Sequence, residues 1–74
     1  MKNHTFKHKL KYIGKTVSNQ RIFLGLSQEE LSKKSGIDRT YISRIERGIV
    51  NPSILILYKI ARILKMTMND YFLY

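Results

Sequence analysis

The sequence predicts an all-α fold of five helices, and three observations carry that reading. Apolar residues recur at spacings of three, four and seven. Helix-start signatures stand ahead of the apolar runs at Ser27, Asp38, Ser53 and Thr67. No run alternates apolar and polar residues for long enough to argue a sheet.

Residues 1–11 carry Lys2, Lys7, Lys9 and Lys11 with His4 and His8 and few apolar residues, so they are expected to form a basic N-terminal arm. The helical pattern starts at Tyr12, and residues 12–74 make the folded domain. In the first helix Ile13, Val17 and Leu24 share a face, and Gly25 supplies a left-handed stop. The second helix, Gln28 to Ser35, opens on a Ser27–Glu30 capping box with Leu26 and Leu31 as hydrophobic staple, and Gly36 ends it. Asp38 caps the third helix, Ile37 and Ile42 staple it, Ile42 and Ile45 point inward, and Gly48 closes it. Two helices joined by so few residues are expected to cross steeply. Asn51-Pro52-Ser53 reads as turn then N-cap for a fourth helix with Leu57, Ile60, Ala61 and Leu64 on one stripe. A Thr67–Asp70 capping box, with Met66 and Tyr71 as staple, opens a short terminal helix.

The 74 residues allow one compact core, 43% of them are hydrophobic, and 14 Lys and Arg against 5 Asp and Glu give a formal charge of +9. A chain this small buries roughly 60% of its unfolded surface, so it is marginal alone, and such chains often gain stability from a partner or from forming a dimer. Absent cysteine excludes disulfides and thiolate metal sites. The longest apolar run, Ile54 to Tyr58, is far short of the roughly 20 residues that span a bilayer, and no secretion signal is evident. A cytoplasmic location is the corresponding expectation. The charge points to a polyanionic partner, nucleic acid before anionic lipid.

Catalysis is not expected. Of the acids, Glu30, Asp38 and Asp70 are assigned to caps and Glu46 has a proposed partner, which leaves Glu29 alone. His4 and His8 have metal-ligand spacing but no third ligand, so no metal and no cofactor is expected.

On the third helix Arg39, Thr40, Ser43, Arg44 and Arg47 fall on the arc opposite Ile42 and Ile45. Arginine forks pair bidentately with guanine, and hydroxyls reach bases or phosphates. Taken alone, the arc also fits an ordinary solvated helix face. Together with the preceding helix and its tight turn, it makes a contiguous helix-turn-helix.

Over residues 13–72 the chain resembles the Cro and phage-repressor, or xenobiotic-response-element, family of helix-turn-helix proteins. The matching pieces are Ile13-Gly14-Lys15, Gly25-Leu26-Ser27-Gln28-Glu29-Glu30-Leu31-Ser32, Ser35-Gly36-Ile37, Tyr41-Ile42-Ser43-Arg44-Ile45-Glu46-Arg47-Gly48 and Asn51-Pro52-Ser53. Within the family, residues 36–43 look most like the small controller proteins of restriction-modification operons. The resemblance implies a lambda-repressor-like DNA-binding domain whose third helix enters the major groove of double-stranded DNA. It places Arg39, Thr40, Ser43 and Arg44 on base edges, and Gln28, Tyr41, Arg47 and Asn51 at the sugar-phosphate backbone. Partial core packing for Tyr41 and a turn role for Asn51 are the structural alternatives. Arg21 and Glu46 match a pair that joins the first helix to the end of the third.

Several positions depart from the family pattern. Gln20 stands where relatives commonly have leucine, and Ile22, Phe23, Leu55, Ile56 and Ile63 are apolar where many relatives are polar. Ile56 and Ile63, two turns apart, widen the fourth-helix stripe, while Tyr71, Phe72 and Tyr74 cluster at the C-terminus. These five are expected at a homodimer contact that would read a pseudo-palindrome. The resulting expectation is a DNA-binding transcription regulator that represses by occlusion or activates by contacting RNA polymerase. The alternative is an antitoxin-type module that binds a protein through the same apolar surface and also binds its own operator.

Overall fold

The computed structural model describes residues 6–73. They form four α-helices, α1 (Phe6–Phe23), α2 (Gln28–Ser35), α3 (Arg39–Arg47) and α4 (Ile54–Leu64), followed by a 3-10 helix, Met68–Phe72. The all-α expectation holds, but the fifth element is not an α-helix. Five residues are too few to accumulate i to i+4 bonds, and short terminal pieces commonly tighten to 3-10 geometry. No helix among the described residues is long and apolar enough to cross a membrane.

Helix starts follow their caps. Ser27 Oγ accepts from the Glu30 N–H at 3.0 Å while Glu30 Oε1 accepts from the Ser27 N–H at 2.8 Å. These bonds hold the Glu30 carboxyl below its ordinary range, so the box is intact above that range and is lost as acid protonates it. Asp38 Oδ2 accepts from the Thr40 N–H at 2.9 Å, Ser53 Oγ from the Ile56 N–H at 3.2 Å, and Asp70 Oδ2 from the Thr67 N–H at 2.9 Å. The α2–α3 turn needs Gly36, which sits in the left-handed region at φ 76°. Ser32 Oγ donates to the Ile37 carbonyl across that turn.

One boundary differs from the sequence reading. Helix α1 starts at Phe6, so residues 6–11 of the expected arm are helical, and residues 1–5 lie outside the described residues. Lysine and leucine are good helix formers, and Leu10 is half-buried, so this basic stretch continues the helix N-terminally. Its backbone at Lys11 also packs against Gly48 at the end of α3.

The core draws Val17 from α1, Leu31 from α2, Ile37 from the turn, and Ile42 and Ile45 from α3. Leu57, Ile60, Ala61 and Leu64 of α4 and Tyr71 of the 3-10 helix complete it. The stripes expected inward on α3 and α4 are therefore the buried ones, while Ile13 and Leu24 sit at the rim. Tyr71, expected at a dimer contact, is instead 1% exposed within the monomer. Its hydroxyl donates to the Leu57 carbonyl at 2.8 Å, which gives the buried phenol its partner, and burial pushes its pKa well above the ordinary value. Ile56 and Ile63 are half-buried, Phe72 is exposed, and Tyr74 lies outside the described residues. Gln20, at the position where leucine is common, donates from Nε2 to the Leu64 carbonyl at 2.9 Å and so satisfies one orphan carbonyl of α4.

At Gly14 the backbone of α1 closely approaches that of α3. A Cβ on Gly14 would lie 2.6 Å from the Glu46 carbonyl oxygen and closer still to that of Ile45, both backbone atoms with no freedom to yield. In an isolated helix Gly14→Ala would gain about 1 kcal/mol of propensity. Here overpacking wins, and the substitution is expected to cost about 1–3 kcal/mol or more. Thermal unfolding followed by circular dichroism should show a fall of about 4–8 °C per kcal/mol lost.

Candidate nucleic-acid interface

Helix α3 presents its N-terminal end and outer face to solvent because its inner face is occupied by Ile42 and Ile45. Arg39, Thr40 and Arg44 are exposed and Ser43 is half-exposed. Gln28 at the start of α2 joins three of them: Gln28, Arg39, Thr40 and Ser43 line one shallow depression of about 240 Å³. Four of the side chains expected at DNA thus converge on one polar spot, with no acidic residue among its lining. Arg47 lies one turn beyond Ser43 on the exposed face, where its Nε donates to the Ser43 carbonyl at 3.4 Å. Tyr41 is half-buried and packs against the core. Asn51 is exposed in the α3–α4 connection, apart from the depression.

Behind this face lies a charged clasp. Arg21 Nε donates to Glu46 Oε2 at 2.8 Å and Arg21 Nη2 to Glu46 Oε1 at 2.9 Å, a bidentate pair whose side chains are 13% and 6% exposed. Arg21 Nη1 also donates to the Leu26 carbonyl at 2.8 Å, which ties in the α1–α2 connection. The bond to Glu46 raises the Arg21 pKa above its ordinary value despite the opposing cost of burial, so the guanidinium stays charged. The Lys33–Glu29 pair, at 3.8 Å between exposed side chains, carries little by comparison.

The clasp has a third member that the sequence reading did not anticipate. Gln28 Nε2 donates to Glu46 Oε1 at 3.0 Å, so the amide expected to meet a phosphate is already oriented by the carboxylate. A side-chain amide has two N–H donors, and one bond to Glu46 leaves the other for an external acceptor. No spacing rule finds such a contact, because Gln28 and Glu46 lie on different helices. The sequence signal was only that both positions matched family motifs. Of the His4–His8 pair, His4 lies outside the described residues.

The helix-turn-helix family model HTH_3 matches residues 12–71, which is most of the chain. The chain belongs to the Cro/C1-type helix-turn-helix family. It is 38% identical over 68 residues to an HTH-type transcriptional regulator of Methanocaldococcus jannaschii, covering 92% of each chain. Among solved structures it is similar to the restriction-modification controller protein C.AhdI of Aeromonas hydrophila, with a TM-score of 0.82 and 34% identity. That match covers 86% of this chain and 97% of the other. It is also similar to the controller protein C.Esp1396I, solved as a tetramer in complex with its natural 35 base-pair operator. The TM-score there is 0.78 at 36% identity, covering 86% of this chain and 84% of that one. These likenesses identify a DNA-binding regulator of the controller-protein type of fold.

The geometry of the clasp fixes what its loss would do. Arg21→Ala leaves the Glu46 carboxylate in a largely buried position without its cation, at an expected cost of about 3 kcal/mol. Chemical denaturation should show the midpoint fall with the slope unchanged, whereas a change within about 0.5 kcal/mol would mean that solvent already screens the pair.

Proposed function

We propose that this chain is a homodimeric operator-binding regulator of the kind that controls a restriction-modification operon, reading DNA with the N-terminal half of α3. The observation that carries the proposal is the depression where Arg39, Thr40 and Ser43 meet Gln28. Arg39 and Thr40 occupy the first turn of α3, the part of a recognition helix that goes deepest into the major groove. In this reading Arg39 pairs with a guanine edge, and Thr40, Ser43 and Arg44 contact neighbouring bases. Gln28, Tyr41, Arg47 and Asn51 contact the sugar-phosphate backbone and set the register. The operator-bound tetramer of C.Esp1396I, whose chain is similar over most of its length, supports a site with more than one subunit.

The dimer surface in this proposal shifts from the one the sequence suggests. With Tyr71 committed to the core, the large apolar side chains left exposed on α4 and the 3-10 helix are Ile54, Leu55, Tyr58 and Phe72. In this reading a two-fold contact covers them, and the dimer offers one α3 helix to each half-site. Dimerisation coupled to site occupancy then makes protein concentration the control variable.

Selection of random duplex DNA by the purified chain tests the proposal directly. Enrichment of inverted half-sites about one helical turn apart is the expected result, and retention without enrichment would overturn base reading by α3. Once a site is known, Arg39→Ala should lose about 1–3 kcal/mol there and relax the preference at one base per half-site. Gln28→Ala should weaken binding to every sequence alike, as measured by anisotropy on the site and on a shuffled duplex. A changed base preference in the Gln28 variant would remove that residue from the phosphate contact.

A further inference from the structure

Helix α2 has a second flank that DNA reading does not use. At 100° per residue, Gln28 and Lys34 fall about 60° to either side of the buried Leu31, so the Gln28 side borders α3 and the Lys34 side borders α4. On the Lys34 side two adjoining depressions, of about 490 and 340 Å³, share Lys34, Arg62 and Ile63. Lys65 completes the rim of the larger and Lys59 that of the smaller, and Leu24 and Leu26 extend the apolar floor. No acidic residue lines either depression. Among the described residues the four cationic heads enter no ion pair, and Glu30, the carboxylate that Lys34 influences, is already bonded to Ser27.

An apolar floor rimmed by four unpaired cations is complementary to one kind of occupant. We propose that this groove docks an acidic amphipathic segment of a partner protein, with apolar side chains seated against Ile63 and Leu26 and carboxylates reaching Lys34, Lys59, Arg62 and Lys65. A second copy of this chain fits poorly, because a two-fold contact would set four cations against four. A nucleic-acid backbone would satisfy the cations but leave the apolar floor without a partner. The outer face of α4 is thus divided along its length: Ile54, Leu55 and Tyr58 are exposed and apolar at the start, and Lys59 and Arg62 give a cationic surface at the end. The groove and the α3 face lie on opposite flanks of α2 and share no lining residue.

The test titrates the full chain with a synthetic helical peptide that carries leucines on one face and glutamates beside them. The readouts are backbone amide NMR shifts and fluorescence anisotropy. Expected are saturable binding, shifts at Lys34, Lys59 and Ile63, and affinity about tenfold weaker in the exposed double variant Lys34→Glu/Arg62→Glu. Arg39→Ala should bind the peptide unchanged. If circular dichroism shows the first variant misfolded, Lys59→Glu/Lys65→Glu carries the same expectation. Equal binding of a scrambled peptide of identical composition would overturn the proposal by reducing the site to charge alone. Shifts confined to α3, a mixed-sequence duplex that moves the groove amides, or self-association that covers Ile63 would each overturn it in favour of another occupant.

Discussion

The orientation of α3 depends on one close approach: the backbone of α1 at Gly14 against the carbonyls of Ile45 and Glu46. Because nothing larger than hydrogen fits there, the C-terminal half of α3 sits directly on α1, and Gly48 against Lys11 repeats the arrangement three residues on. Contact this close brings Glu46 within reach of Arg21, which stands on α1 with Gly14, and Arg21 in turn holds the Leu26 carbonyl at the entry to α2. The core sets the layers; this seam sets the angle at which the exposed residues of α3 are presented. A shift in the seam would move Arg39 and Thr40 together as a unit, because they stand on the same short, capped helix.

Much of this was legible in the sequence where the physics is local. Ser27 and Glu30 bond each other across a single turn, Asp38 bonds two residues ahead, and both bonds form from residues whose spacing alone brings them together. The inward stripes of α3 and α4 were legible because a helix repeats every 3.6 residues. The seam was not. A glycine inside a helix reads as a propensity loss until its partner is known, and the partner of Gly14 lies on another helix more than thirty positions away. Gln20 on the Leu64 carbonyl and Gln28 on Glu46 were hidden for the same reason. Tyr71 was misplaced for a different one: the staple with Met66 put it inside, surface clustering with Phe72 put it outside, and only the bond to Leu57 decides between them.

Charge separates the surfaces as clearly as shape does. With a net +9 the molecule repels itself, so a copy of the chain is tolerated only where cations are sparse. The start of α4, with Ile54, Leu55 and Tyr58, meets that condition, and its basic end does not. The sequence reading joined Ile56 and Ile63 in one interface because they share a helix face. Ile63 borders Lys34 and Arg62, however, and proximity to those cations rather than helical phase decides what can approach it.

A largely buried ion pair is weak evidence of stability, since an apolar pair of similar volume often does as well. Its presence behind α3 therefore asks for a reason beyond holding α1 to α3, which Gly14 and the core already do. The third member supplies one. Glu46 Oε1 accepts from both Arg21 and Gln28, at 2.9 and 3.0 Å, so the carboxylate that locks the back of α3 also orients the amide at its front. An apolar substitute could keep the packing of this pair but would leave Gln28 to sample several rotamers, and that side-chain entropy would have to be lost on binding. The polar clasp thus exchanges little stability for order in a side chain that borders Arg39, Thr40 and Ser43. On the backbone-contact role proposed for Gln28, what would otherwise be an expensive way to join two helices becomes a way to prepare that contact.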